Sequence, residues 1–160
     1  MDTKHTEEPV FDSVWQRVTE NSDNEYPPVI NDEMILTDLI AAEKGNYSFY
    51  ITANKLCGSC SPLFAALAET SRKRLGRLQT FYFLMFGNNC KTDKLNVNVP
   101  QGTLSALRAA YWRENEISSK LISASMAISR GRFSSFGAEF ARQAAENAEH
   151  IIQIIDRIMK

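Results

Sequence analysis

Hydrophobic residues recur every three or four positions along most of the chain, which is the spacing of amphipathic helices. Glycines and helix-capping residues separate these stretches. These patterns predict four long helices, over about 32–56, 62–86, 103–129 and from 134 or 135 to the C-terminus. The predicted N-caps are Asn31, Ser61, Thr103 and either Ser134 or Ser135. A shorter pattern, with Val10, Val14 and Val18 on one face, predicts a helix over 9–19. We therefore expect an all-α protein, with an N-terminal arm at 1–31 and a helical bundle at 32–160.

The lengths of the connections predict how the four helices are arranged. The first two helices, and likewise the last two, are joined by roughly four residues, which makes each pair antiparallel neighbours. The middle connection, at 88–102, can span ~50 Å when extended, whereas a 25-residue helix is ~38 Å long. It is long enough to cross the whole bundle and leave the second and third helices parallel. That arrangement is the ferritin-like four-helix bundle.

Two glutamates interrupt apolar helix faces. Glu43 shares its face with Leu39, Tyr47 and Tyr50, and Glu114 falls at the centre of the apolar stripe of the third helix. A buried carboxylate is costly unless something compensates it. The simplest compensation is a neighbouring hydroxyl or arginine. Because the two acids occupy equivalent helices in the two halves of the bundle, a di-metal site with iron or manganese is the second explanation.

A complete di-metal site in such a bundle also needs a Glu-x-x-His unit on the second and fourth helices. His150 lies at the edge of the apolar stripe of the fourth helix, but Asn147 stands three residues before it. In the second helix the inward positions are Ser71 and, at the edge, Arg74, whereas Glu69 points away from the stripe. Neither helix therefore carries the full unit.

The segment 65–87 resembles the second helix of rubrerythrin-type ferritin-like proteins, in which a Glu-x-x-His precedes a leucine, an aromatic pair and a closing glycine. The match uses four residues: Leu78, Tyr82, Phe83 and Gly87. It puts Ser71 at the glutamate position and Arg74 at the histidine position. In the fourth helix, Asn147 and His150 fall at the same two positions.

The resemblance implies metal ligands at Glu43, Glu114 and His150. Arg74, however, is a permanent cation where a metal ligand is expected. Our first hypothesis is that the di-iron site is largely lost, that the protein has no cofactor, and that its role is non-redox binding or structural. An ion pair of Arg74 with Glu43 or Glu114 then replaces the metals, and its hydrogen bonds are completed by Asn147, Ser71 and Tyr47.

The alternative is an active iron or manganese protein with an atypical site, in which Glu43, Glu114 and His150 are the ligands and Glu69 is an optional further one. The resemblance then implies a di-iron oxidoreductase that reduces peroxide, or a protein that handles iron. A third hypothesis uses the pair Cys57 and Cys60, because a thiol near a helix N-terminus has a lowered pKa. A lone CxxC is a weak signal, and incidental thiols in a tight turn are the simpler interpretation.

Composition narrows the possible partners and location. The formal net charge of −1 gives no general attraction to nucleic acid, and the basic run 72–77 is interpreted as a solvated helix face. No apolar run approaches the ~20 residues of a membrane span, and the first residues lack a signal-peptide pattern. With three cysteines, a cytoplasmic protein is predicted. The run 81–86 is apolar on all sides, which predicts a cover from the arm, the middle connection or a second copy in a homodimer.

Overall fold

The computed structural model describes residues 30–128 and 132–160. Within these ranges the chain forms α-helices and one short 3-10 turn, with no strand, so the prediction of an all-α bundle is confirmed. The helices are α1 (Ile30–Leu56), α2 (Ser61–Phe86), α3 (Thr103–Ala127) and α4 (Phe133–Ile158). The predicted helix at 9–19, and with it nearly all of the predicted arm, lies outside the described residues.

The helix ends follow from local chemistry. Pro62 occupies the first turn of α2, where its missing N–H is not needed. Gly87 ends α2 with φ of 72°, a left-handed conformation that glycine adopts without a Cβ penalty. The predicted N-caps at Ser61 and Thr103 are wrong by one residue, because each is already the first residue of its helix. Likewise, α4 begins at Phe133, ahead of the two serines predicted to cap it.

Two hydrophobic clusters divide the core along the axis of the bundle. The lower cluster joins the second halves of α1 and α4 to the first halves of α2 and α3, and its members include Phe49, Tyr50, Phe64, Leu107 and Ile151. The upper cluster joins the opposite halves, and its members include Leu36, Leu78, Leu121, Phe133 and Ala144. The N-terminal halves of α2 and α3 thus share the lower cluster.

The segment that joins α2 to α3 lies against α1. The Cys90 thiol donates to Thr37 Oγ1 at 3.8 Å, and Lys44 Nζ donates to Thr92 Oγ1 at 2.8 Å. Further along, Val99 is buried in the lower cluster. The segment therefore contacts α1 at Thr37 and Lys44, and it reaches the lower cluster at Val99.

Part of the helix surface is apolar. In the run 81–86, Tyr82 is buried, but Phe83 and Leu84 are 49% and 75% exposed. The connection between α2 and α3 therefore does not cover the outer side of this run. Across residues 30–128 and 132–160, no helix is both long and apolar enough to cross a membrane.

Candidate functional site

Three charged side chains from three helices meet in the interior, between the upper and lower clusters. They are Glu43 on α1, Arg74 on α2 and Glu114 on α3, and none has any exposed surface. The sequence placed both glutamates on buried faces, and the structure confirms that placement. A buried charge is stable only if it is paired and hydrogen-bonded, so the contacts of these three groups decide what the site can do.

The Arg74 guanidinium bridges the two carboxylates. Its Nε donates to Glu43 Oε1 at 2.5 Å. Its two terminal nitrogens donate to the two oxygens of Glu114, at 3.2 Å and 3.0 Å. This forked contact with Glu114 matches the planar geometry of both groups, which is the arrangement that makes Arg–carboxylate pairs strong. The predicted ion pair is therefore present, with both carboxylates instead of one.

Neutral side chains complete the site. Ser71 Oγ donates to Glu43 Oε2 at 2.5 Å. Glu114 accepts two further hydrogen bonds, from the Tyr50 hydroxyl at 2.6 Å and from Asn147 Nδ2 at 3.0 Å. All four helices thus contribute side chains to one hydrogen-bonded group around the three charges. We call the charged residues and these three partners the Glu–Arg–Glu cluster.

The roles predicted for Ser71 and Asn147 are confirmed, but the role predicted for Tyr47 is wrong. Tyr47 is half-buried and packs on the lower cluster. Tyr50 takes its place, because a residue seven positions after Glu43 stands on the same face two turns along α1 and reaches Glu114 on α3. The seven-residue spacing was visible in the sequence, but the distance between α1 and α3 was not.

Burial and pairing set the protonation of the cluster. Burial raises the pKa of Glu43, and the nearby Arg74 offsets this only in part. For Arg74, burial lowers the pKa, but the two carboxylates outweigh it and the pKa is raised overall. Burial and the neighbouring Glu114 hold the pKa of Tyr50 well above its ordinary value. Tyr50 is therefore a neutral hydrogen-bond donor, and Arg74 stays a cation.

The structure brings together only two of the three predicted metal ligands, Glu43 and Glu114. His150 is exposed on α4, and Glu69 is exposed on α2, where its carboxylate accepts from Arg72 at 2.8 Å. Among the described residues, no group of three or more His, Cys, Asp or Glu side chains is placed to hold a metal ion. The centre of the bundle does not fit a di-metal site, because the Arg74 guanidinium bonds the carboxylate oxygens that would coordinate the metals.

The two cysteines of the CxxC are buried and free, at the end of α1 and just before α2. Burial and the neighbouring Cys60 raise the pKa of Cys57. The expectation of a lowered pKa is therefore wrong for Cys57, because loss of solvation disfavours its thiolate. Since the thiolate is the reactive form, this position does not favour thiol redox chemistry.

A second polar contact, partly buried and not indicated by the sequence, joins Arg113, the residue before Glu114, to α1. The Arg113 guanidinium lies 4.4 Å from the centroid of the Phe49 ring and donates to Asn46 Oδ1 at 3.1 Å. Burial lowers the pKa of Arg113. This cation–π contact joins α3 to α1 near the lower cluster.

No protein-family model and no curated protein matches this sequence. Among solved structures, the chain is similar to a conserved hypothetical protein from Mycobacterium tuberculosis, with a TM-score of 0.67 and 16% sequence identity. The similarity covers 77% of this chain and 96% of that one. At this identity it shows that the two proteins share a helical fold.

Proposed function

We propose that this protein is a ferritin-like bundle in which the Glu–Arg–Glu cluster replaces a metal centre, and that it has a non-redox binding or structural role. One observation carries the proposal: a fully buried guanidinium bonds both carboxylates that the resemblance assigns to metals. In this proposal the cation that compensates the two carboxylates is the Arg74 side chain, in place of a bound metal ion.

The course of the helices supports the ferritin-like assignment. Helices α2 and α3 share a direction, as judged from the hydrophobic clusters, and their connection lies along α1. A bundle with one long crossover of this kind is the ferritin-like topology. In addition, Ser71, Arg74 and Asn147, which occupy three ligand positions in the resemblance, all contact Glu43 or Glu114.

The chemistry of the cluster explains why a metal would be excluded. A divalent cation between Glu43 and Glu114 would stand beside Arg74, a like charge that cannot be deprotonated. It would also have to displace the three bonds from Arg74, together with those from Tyr50 and Asn147. Serine hydroxyl and asparagine amide groups would not compensate the added charge as carboxylates do.

The direct test is the metal content of protein purified without chelator and then incubated with ferrous iron under anaerobic conditions. We expect substoichiometric iron, manganese and zinc, and a melting temperature that EDTA does not change, because no bound metal stabilises the folded state. Stoichiometric iron that Glu114→Ala removes would overturn the proposal. That result would support the alternative of an atypical metalloprotein. Assays of peroxide reduction would then test its activity.

A gain-of-site variant tests whether these positions correspond to metal ligands. Ser71→Glu, Arg74→His and Asn147→Glu together would surround the centre with four carboxylates and one imidazole, which are five of the six ligands of a di-metal bundle. We expect the triple variant to bind Co²⁺, with visible absorption bands and a raised melting temperature, while Arg74→His alone does not. A folded triple variant, checked by circular dichroism, that binds no Co²⁺ would contradict the ferritin-like correspondence.

A further inference from the structure

An apolar groove lies between the first half of α1 and the second half of α3, on the outside of the upper cluster. Its volume is about 320 Å³. Most of the lining is small or apolar and consists of Ile35, Leu39, Ser119, Ser123, Ala124 and Ala127. Over their whole lengths, α1 and α3 pack less extensively on each other than either does on its hairpin partner. A groove of this composition offers room for larger side chains from another helix.

We propose that residues 9–19 of this chain form an amphipathic helix that packs its apolar face into this groove. The apolar residues of that segment stand at helical spacing: Val10, Phe11, Val14, Trp15 and Val18. A short helix with such a face is unstable alone and gains its stability from packing on a partner surface. The Phe and Trp side chains of the segment are large, whereas Ser119, Ser123, Ala124 and Ala127 of the groove are small, so the two surfaces can interlock.

The chain enters the bundle close to the groove. Residue 30 begins α1, and Ile35 and Leu39 of the groove follow within the first three turns, ~14 Å along the helix axis. Ten residues separate Thr19 from Ile30, and the chain between these two residues can extend over ~36 Å. Pro27 and Pro28 lie in this stretch and prevent α1 from simply continuing backwards through it. The segment therefore has both the reach and a turning point.

The segment 9–19 also matches the groove in length and is compatible with it in charge. The groove-lining residues of α3 run from Ser119 to Ala127, ~12 Å along the axis, and Val10 to Val18 cover the same ~12 Å when helical. The charged pair in the groove, Lys120 and Asp38, is already joined at 2.8 Å. The segment 9–19 carries one acidic and one basic residue. No net repulsion therefore opposes docking.

The two tryptophans of the chain allow a direct test. Trp112 is 69% exposed, so Trp112→Phe should keep the fold and leave Trp15 as the sole reporter. We expect the Trp15 emission of this variant to be blue-shifted and protected from acrylamide. Adding Ala127→Arg at an exposed groove position should shift the emission to the red and raise the quenching constant severalfold.

Matched controls make the test specific. Ala138→Arg, at an exposed alanine in the neighbouring groove between α3 and α4, should leave Trp15 protected. Within the segment, Val14→Asp should expose Trp15, and Ser13→Asp, beside the apolar face, should not. Circular dichroism checks that each variant folds.

Three outcomes would overturn the proposal. The first is solvent-like Trp15 emission in the Trp112→Phe protein. The second is exposure by Ala138→Arg in place of Ala127→Arg. The third is loss of protection on dilution, which would place the segment on a second copy. Metal content does not enter any of these measurements, so this proposal and the proposed function can fail separately.

Discussion

Replacing Arg74 by methionine would remove the charge at the centre of the bundle while keeping most of the buried aliphatic volume. The arginine has no exposed surface and makes three hydrogen bonds of 2.5–3.2 Å to two carboxylates. Removing one partner of a buried ion pair costs about 3–5 kcal/mol, because the remaining charge is left uncompensated in the interior. Here two carboxylates lose the same partner, so we expect a loss near the upper end of that range.

Urea unfolding followed by far-UV circular dichroism at neutral pH measures this loss. With a slope of about 2 kcal/mol per molar urea, a loss of about 5 kcal/mol lowers the midpoint by roughly 2.5 M. Domains of this kind have about 5–15 kcal/mol of stability in total. We therefore expect Arg74→Met to be much less stable than the wild type but still folded in the absence of urea.

The same substitution in a Glu43→Gln, Glu114→Gln background separates charge from packing. In that background Arg74 is itself a buried charge without a carboxylate partner. Methionine should therefore cost far less there, or stabilise the protein, and the difference is the coupling energy of the cluster. An equal loss in both backgrounds would refute the electrostatic reasoning, as would a loss below about 1 kcal/mol in the wild-type background.

Further predictions concern individual cluster and helix positions. Burial holds the pKa of Glu43 in the folded protein above its ordinary 4.5. Between the ordinary pKa and the raised pKa, Glu43 is protonated in the folded state but ionised in the unfolded state, so the stability of the protein falls as pH rises through that window. Urea titrations across pH should show the wild type losing stability relative to Glu43→Gln above about pH 4.5; a constant or opposite difference would contradict this. Tyr50→Phe removes a donor to Glu114 and should lower the free energy of unfolding by about 1.5–3 kcal/mol in the same assay. Gly76→Ala should stabilise α2 by about 0.5–1 kcal/mol, since no described atom lies within 4 Å of its added Cβ. Gly137→Ala on α4 should instead lower the melting temperature, because its Cβ would collide with Ser125 Oγ; equal effects at the two glycines would contradict the packing.

Helical periodicity and capping chemistry were sufficient to predict the described helices. The glycine at 87 and the proline at 62 mark the ends of α2 in the sequence as they do in the structure. Helix starts were predicted one or two residues late, because a serine or threonine can open a helix as its first residue and not only as its cap. The arm at 1–31 and the homodimer stay predictions.

The periodicity of a single helix predicts which residues of the site face the interior, but not the distances between helices. Register placed Ser71 on the inward face of α2, where it bonds Glu43. It placed Arg74 and His150 each at the edge of an apolar stripe; the structure buries Arg74 and exposes His150, because a position at an edge turns inward or outward with a small rotation of the helix. The choice of Tyr50 over Tyr47 depends on the distance between two helices, which a pattern along one helix does not contain.

The most direct measurement of the central claim is hydrogen exchange at arginine Nε–H groups, observed by NMR on nitrogen-15-labelled protein. A buried Arg74 bonded to both acids predicts one strongly protected Nε–H signal. That signal should vanish in Arg74→Lys and shift in both Glu43→Gln and Glu114→Gln. If every arginine Nε–H exchanged as fast as a solvated side chain, the cluster would not hold the interior together as described.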